Sequence, residues 1–141
     1  PHENHLDPLL SETEKLIEHN KQILAVGMQK DIRPYVAISH VLTFPSYREG
    51  FPNVVLQASC MNLPCIVSDI NGCNEIIEHN VNGLIIPVKS ETAIQDAMQF
   101  MIDNPNKRTE MANQSRVRIV ERYQQEYIWN ELLKLYKSLE K

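Results

Sequence analysis

The chain has little glycine, few aromatic residues and no excess of positive charge. Its 141 residues include 4 Gly, 3 Phe and 1 Trp, and the formal net charge is −4. Lys and Arg are scattered, which argues against a nucleic-acid partner, because nucleic-acid-binding surfaces normally carry a basic stripe. No apolar run approaches the ~20 residues that span a bilayer. The composition is that of one globular domain with a single core.

Cysteine is also scarce, and its spacing excludes the common cysteine motifs. Cys60, Cys65 and Cys73 are odd in number and form no Cys-x-x-Cys pair. We expect reduced thiols in a cytoplasmic protein, used as small core side chains. A zinc site that combines them with a histidine is a weak alternative on spacing grounds. Since there is no Asp-x-Asp signature either, we expect no metal.

Four short apolar runs are bounded by Gly, Pro or Asp, and they are continuous rather than alternating. Continuous runs are typical of strands covered on both faces of a parallel sheet. The runs occupy residues 23–27, 41–45, 65–69 and 84–88. Helical segments alternate with them, so the sequence predicts a single α/β unit over 1–141, a Rossmann-like parallel sheet with helices on both faces and a helical C-terminus.

The helical segments have recognisable ends. Ser11-Glu12-Thr13-Glu14 has the pattern of a capping box, with Ser11 as the cap of a helix to about Asn20. Shorter helices are predicted over 34–39, 52–62 and 74–79. Ser90 should cap a later helix, and Asn104-Pro105 should separate that helix from the next. The final helix carries an apolar stripe formed by Ile128, Leu132, Leu135 and Leu139, and a stripe of this kind is usually core.

Ligands of such sheets bind at the carboxyl ends of the strands, on the loops that lead into helices. This rule singles out 46–53 and 68–75. In the first segment a helix begins near Pro52, so the N–H groups of Phe51, Asn53 and Val54 are expected to be unpaired donors. Together with the helix dipole they would form an anion site that suits a diphosphate, although any strand–loop–helix unit offers similar donors.

Two side chains in this segment invite a functional interpretation. Glu49 stands just before the helix, where it either caps the helix or accepts hydrogen bonds from a polyhydroxylated ligand. Gln57 lies about one turn inside the helix, and on its buried side it should have a protein or ligand partner. Asp69 and Glu75 could form the acid pair of a hydrolase, but turn and helix-cap roles are favoured.

The order and spacing of five motifs resemble the donor-binding domain of the family 4 glycosyltransferases, which have the two-domain GT-B fold. The motifs are Ser46-Tyr47-Arg48-Glu49-Gly50-Phe51, Gln57-Ala58, Leu63-Pro64-Cys65-Ile66-Val67, Asp69-Ile70-Asn71-Gly72-Cys73-Asn74-Glu75 and Asn82-Gly83-Leu84-Ile85. Each motif alone is modest, but together they are specific, and they look most like bacterial enzymes that assemble O-antigen, capsule or other surface polysaccharide.

The resemblance implies roles for individual residues. Glu49 would bond hydroxyl groups of the donor sugar and is the implied catalytic residue. The diphosphate would meet backbone groups of Gly50, Phe51, Pro52 and Asn53. Gln57 stands where the family has a second Glu that holds the ribose, and this departure puts the ribose role in doubt. The base of the nucleotide would lie near Gly27 and Met28.

The resemblance also implies the substrates of the reaction, and it implies that some elements of the family's fold are absent from this chain. The reaction would be the retaining transfer of a sugar from a UDP- or GDP-linked donor to a surface-polysaccharide or lipid-linked glycan acceptor, without metal or cofactor. The enzyme would be cytoplasmic or peripheral on the inner membrane. Relative to the family, the first two strand–helix units of the donor domain and the whole acceptor-binding domain are absent from these 141 residues.

Those absent elements have expected consequences. Without the intervening strands, residues 23–27 should either shift inward to pair with the next strand or leave an apolar edge that pairs with a second copy. Trp129 and Leu132 of the final helix should be partly exposed. Two other functions stay open, which are a non-catalytic small-molecule-binding α/β module and a GT-B sugar-nucleotide epimerase. The epimerase would need an acid and a base at the crevice, where no histidine is well positioned.

Overall fold

The computed structural model describes residues 9–140, and the chain divides into two units, Pro1–Ile32 and Arg33–Lys141. The second unit contains a three-stranded parallel sheet in the order β1-β2-β3. Its strands are β1 (Leu42–Phe44), β2 (Cys65–Ser68) and β3 (Gly83–Ile86). In the register of the sheet Thr43 lies opposite Ile66, and Ile66 lies opposite Leu84. The predicted fold class, a parallel α/β sheet with a helical C-terminus, is confirmed.

The helices alternate with the strands before the chain becomes entirely helical. They are α1 (Ser11–His19) in the first unit and α2 (Arg33–Ile38), α3 (Asn53–Cys60), α4 (Cys73–Ile76), α5 (Glu91–Asp103), α6 (Pro105–Tyr123) and α7 (Gln125–Leu139) in the second. The boundary signals of α5 and α6 are confirmed. Ser90 Oγ accepts a hydrogen bond from Ala93 N at 3.2 Å, and α6 begins at Pro105.

Two apolar cores lie on opposite faces of β2, because successive strand side chains point to opposite sides. Cys65 and Val67 belong to the core that includes Val55 and Ala58 of α3. Ile66 belongs to the other core, with Met101 of α5. Fully burying one such aliphatic side chain contributes roughly 1.5–3 kcal/mol. Helices therefore cover both faces of the sheet, as predicted.

Asn82 anchors the entry to β3. Its side chain is fully buried, its Oδ1 accepts from Glu78 N at 2.7 Å, and its Nδ2 donates to Ile76 O at 3.2 Å. Ser115 of α6 donates its hydroxyl to the carbonyl of Asn82 at 3.1 Å. The next residue, Gly83, has no room for a side chain, because a Cβ there would overlap the carbonyl oxygen of Cys65. The Asn82-Gly83 motif is thus a structural corner.

The predicted strand at 23–27 is wrong. No residue of the first unit from 9 to 32 belongs to a strand, and the segment is exposed, with Leu24 at 84%. A strand exists only through hydrogen bonds to a neighbouring strand, and apolar composition cannot supply the neighbour. The expected inward shift to pair with β1 therefore does not occur. Pairing with a second copy stays a prediction.

The assignment of Ser11 as a helix cap is also wrong. The N-cap of α1 is Leu10, which has no side-chain acceptor, and Ser11 is already the first helical residue. The capping-box pattern is offset from the helix start by one position, so the Ser11 hydroxyl does not serve the first-turn donors. The helix itself is confirmed, and it ends at His19.

Helix α7 presents its apolar stripe to solvent rather than to a core. None of its residues is buried, and the core assignment of Ile128, Leu132, Leu135 and Leu139 is wrong. The expected partial exposure of Trp129 and Leu132 is confirmed, at 60% and 43%. Within the second unit, the described residues leave this face largely exposed. Among the described helices, none combines the length and apolarity that a bilayer span requires.

Candidate functional site

The two segments singled out by the strand-end rule are in direct contact. Gly72, in the loop after β2, has φ +78°, a left-handed conformation that favours glycine. A Cβ at this position would overlap the carbonyl oxygen of Gly50 and would lie 3.0 Å from Phe51 Cα. The loop that leads into α4 therefore packs against the loop that leads into α3, and only glycine allows this approach.

The start of α3 offers the expected free donors. Pro52 is the N-cap, and the first intrahelical bond runs from Val55 N to Pro52 O at 3.1 Å. Within residues 9–140, no acceptor meets the N–H groups of Phe51, Asn53 or Val54. No side chain caps the helix either. These donors and the positive end of the helix dipole form an anion-binding concavity.

Glu49 does not cap α3, so the structural interpretation of this residue is wrong. Its Oε1 accepts a hydrogen bond from Ser46 Oγ at 2.8 Å, and its side chain is half-buried. The Ser46 hydroxyl holds the carboxylate in one place at the end of β1. An ionised carboxylate has about four acceptor positions, so most of its capacity stays available for ligand hydroxyls.

Burial and the negative charge of Glu49 affect the pKa of a nearby buried thiol, that of Cys73. Burial and, as a smaller contribution, the negative charge of Glu49 together raise the pKa of Cys73, the first residue of α4, to about 11. Burial likewise raises the pKa of Cys65 to about 12. Both buried thiols are therefore protonated at neutral pH and are poor nucleophiles. The expectation of free core thiols is confirmed for these two, while Cys60 is half-buried.

Gln57 is exposed, and its expected position on the buried side of the helix is wrong. The buried residues of α3 are Val55, Ala58 and Ser59, and Gln57 lies on the opposite face. Residues four positions apart in a helix are neighbours on one face, so Gln57 lies one turn above Asn53 at the exposed helix start. Its amide is thus open to a ligand bound at that end of α3.

Gly27 and Met28 lie in the first unit. Gly27 has φ +63°, and Met28 is 97% exposed. Gln29 Nε2 donates to Val26 O at 2.5 Å, which closes a turn around the two residues. The structure thus brings together Glu49, Gly50, Phe51, Pro52, Asn53 and Gln57 on one loop and helix of the second unit. The assignment of Gly27 and Met28 to the base stays a prediction.

Asp69 and Glu75 are both engaged locally. Asn74 Nδ2 donates to Asp69 Oδ1 at 3.0 Å, and Gly72 N donates to Glu75 Oε1 at 3.2 Å. The predicted turn and helix-cap roles are confirmed. In the part of the chain that the structure describes, no three His, Cys, Asp or Glu side chains converge as metal ligands.

Two residues from distant parts of the chain also contact the site. Lys89 Nζ lies 4.9 Å above the ring of Tyr47, and the ring of Tyr123 meets Phe51 edge-to-face with centroids 5.4 Å apart. Neither residue was predicted, because these contacts form only when β3 and α6 pack beside the loop. A lysine after an apolar run and a tyrosine at a helix end carry no sequence signal of such a role.

Comparison with known proteins finds a matching family profile and several relatives. The profile of the family described as "Glycosyl transferases group 1" matches residues 3–118. The capsular polysaccharide biosynthesis glycosyltransferase CapM of Staphylococcus aureus is 24% identical over 122 residues, which cover 86% of this chain and 32% of CapM. The Escherichia coli UDP-Gal:alpha-D-GlcNAc-diphosphoundecaprenol alpha-1,3-galactosyltransferase is 33% identical over 84 residues, 60% of this chain and 22% of that enzyme.

The fold is also similar to that of a solved structure. The crystal structure of Anabaena HepE in complex with UDP superposes with a TM-score of 0.84 and 19% identity, over 90% of this chain and 36% of HepE. At this identity the likeness concerns the fold alone. The chain thus spans about a third or less of the length of these proteins.

Proposed function

The chain belongs to the group 1 glycosyl transferases, and on this premise we propose that it supplies the donor side of a retaining transferase that uses a nucleotide-diphosphate sugar. One observation carries the proposal. The exposed N–H donors at the start of α3 lie beside the carboxylate of Glu49, which Ser46 holds in place. The loop that carries them packs against Gly72. This arrangement has a place for an anion beside a place for a polyhydroxylated group.

Each part of the loop has a proposed task. The N–H groups of Asn53 and Val54 would receive the diphosphate, whose charge grows as the sugar leaves. Glu49 would accept hydrogen bonds from the sugar hydroxyls and hold the anomeric carbon in position for transfer. Gln57, on the same exposed face as Asn53, would meet the ribose. Gly27 and Met28 would lie by the base.

The substrates follow from chemistry and from the relatives. HepE was crystallised with UDP, and the E. coli relative is a galactosyltransferase that uses UDP-Gal and alpha-D-GlcNAc-diphosphoundecaprenol. We therefore propose a UDP- or GDP-linked donor and a glycan or lipid-linked acceptor for surface-polysaccharide assembly. An acceptor of this kind would place the enzyme in the cytoplasm or at the inner face of the membrane.

The decisive experiment is a transfer assay with the full-length protein. Nucleotide sugars and undecaprenyl-diphosphate-linked acceptors are screened for nucleotide release, and the anomeric configuration of the product is determined by NMR. Sugar transfer with retained configuration supports the proposal. Tight nucleotide binding without transfer favours a binding module, and acceptor-independent conversion of one nucleotide sugar into another favours an epimerase.

Replacement of Gln57 by Glu tests the ribose contact. Because a carboxylate accepts hydroxyl hydrogen bonds more strongly than an amide does, Gln57→Glu should tighten UDP binding by about 1 kcal/mol. Gln95→Glu is the matched control, since Gln95 is an exposed glutamine of α5 and acquires the same charge. Calorimetric titration with UDP measures both. An affinity that is equal in wild type and both variants would show that Gln57 does not touch the nucleotide.

We also propose that transfer needs no metal ion, because the helix start already presents positive potential to the diphosphate. Activity of the full-length protein should be unchanged in excess chelator. The control is the same assay after magnesium or manganese is added back. Activity that disappears with the chelator and returns with either ion would refute a metal-free reaction.

A further inference from the structure

Tyr123 contacts both segments of the candidate site. It is the last residue of α6, and it lies beyond the stretch 3–118 that the family profile matches. Its ring packs against Phe51 in the loop before α3, with 62° between the ring planes. Its hydroxyl donates to the carbonyl oxygen of Glu75 in α4 at 2.9 Å. One side chain therefore joins the loop before α3 to helix α4.

The contacts of Tyr123 complement the packing at Gly72. Gly72 fixes the distance between the loops from inside, where the backbones of Gly50 and Gly72 touch. Tyr123 joins the same loops from the side of α6, through Phe51 and the end of α4. We call the two contacts of Tyr123, with the Phe51 ring and with the Glu75 carbonyl, the bracket. An edge-to-face aromatic pair and a hydrogen bond to a main-chain carbonyl both depend on direction, so the bracket restrains how the loop that contains Phe51 can turn.

We infer that Tyr123 is a positioning residue of the donor site. This inference rests on the proposed function. Held by Tyr123, the Phe51 loop keeps the start of α3, with the N–H groups of Asn53 and Val54, in one position, where a diphosphate would bind. When the bracket is loosened, the same donors are present but their position varies, and each binding event must first order the loop. Tyr123 itself does not touch the ligand.

The chain offers a closely matched control on the same helix. Ser115 also belongs to α6, and its hydroxyl also donates to main-chain carbonyls, those of Met111 at 2.9 Å and Asn82 at 3.1 Å. Asn82 precedes β3, at the opposite end of the strands from the site. Tyr123→Phe and Ser115→Ala thus each remove one hydroxyl that fastens α6, but only the first lies at the donor loop.

The test measures amide hydrogen exchange and UDP affinity in the full-length protein. Tyr123→Phe should accelerate exchange at Val55 and Leu56, whose N–H groups bond to the Pro52 carbonyl at the start of α3. It should also weaken UDP binding about five-fold, the effect of one neutral hydrogen bond. Tyr123→Leu, which also removes the ring, should weaken it further. Ser115→Ala should lower the melting temperature without changing either quantity at the loop.

Every outcome bears on the inference. If Tyr123→Phe and Ser115→Ala have the same effect on exchange at Val55 and Leu56 and on UDP affinity, Tyr123 is only a structural residue. If wild type itself binds no UDP, the proposed function fails, and the exchange at Val55 and Leu56 still decides whether Tyr123 positions the start of α3. If the double variant Phe51→Leu/Tyr123→Leu loses the sum of the two single losses, the two rings do not act together and the bracket is refuted.

Discussion

Glu49→Ala is expected to reduce turnover of the full-length enzyme by at least about two orders of magnitude. In the proposed reaction the carboxylate bonds the sugar where charge develops, and loss of one such contact typically costs this much. The variant should fold normally, because Glu49 caps no helix and its bond from Ser46 Oγ is local to the loop. Steady-state kinetics and thermal unfolding measure the two effects separately.

Two further variants sharpen this experiment. Ser46→Ala keeps the carboxylate but removes the hydroxyl that holds it, so a smaller loss of about ten-fold is expected. Arg48→Ala changes an exposed side chain of the same loop and should leave turnover within a factor of about two. Near-normal turnover of a well-folded Glu49→Ala enzyme would remove Glu49 from the donor site.

Gly72→Ala should damage both stability and binding. The substitution forces an L-residue into φ +78° and drives its Cβ into the Gly50 carbonyl. The left-handed conformation alone costs about 1–2 kcal/mol, and the overlap adds to it, so we expect the free energy of unfolding to fall by at least about 3 kcal/mol. Because relief requires the Phe51 loop to move away, UDP affinity should be lost as well.

Gly50→Ala is the control for this substitution. Gly50 has an ordinary φ, and nothing lies within 4 Å of an added Cβ. The free energy of unfolding of the Gly50→Ala variant should therefore differ from that of wild type by less than about 1 kcal/mol. Urea denaturation compares the two variants. Equal stabilities would show that the loops do not approach as closely as described, and the support of the donor loop by Gly72 would then have to be abandoned.

The comparison of strands shows how far the sequence alone can lead. The runs at 41–45, 65–69 and 84–88 and the run at 23–27 are all predominantly apolar, yet only the first three form strands. Composition reports a preference for burial, whereas a strand requires a partner at the correct distance. The prediction succeeded for the three runs that pair with one another and failed for 23–27, which pairs with no strand among the described residues.

The site shows the same division. Glu49 and the donors at the start of α3 were predictable, because one strand–loop–helix unit fixes them locally. The face occupied by Gln57 was not, since a shift of one residue in the helix start rotates every side chain by about 100°. Tyr123 was beyond reach of the sequence, because its contacts with Phe51 and Glu75 depend on how α6 packs.

The buried corner at Asn82 has a consequence for the chemical lifetime of the protein. An Asn-Gly pair is the peptide sequence most prone to deamidation, which begins when the glycine nitrogen attacks the asparagine side chain. The fold holds both polar atoms of the Asn82 amide in hydrogen bonds to Glu78 and Ile76. In the second such pair, Asn71 is exposed, but the nitrogen of Gly72 is occupied by Glu75 Oε1. Both Asn-Gly pairs are therefore protected from deamidation only while the chain stays folded.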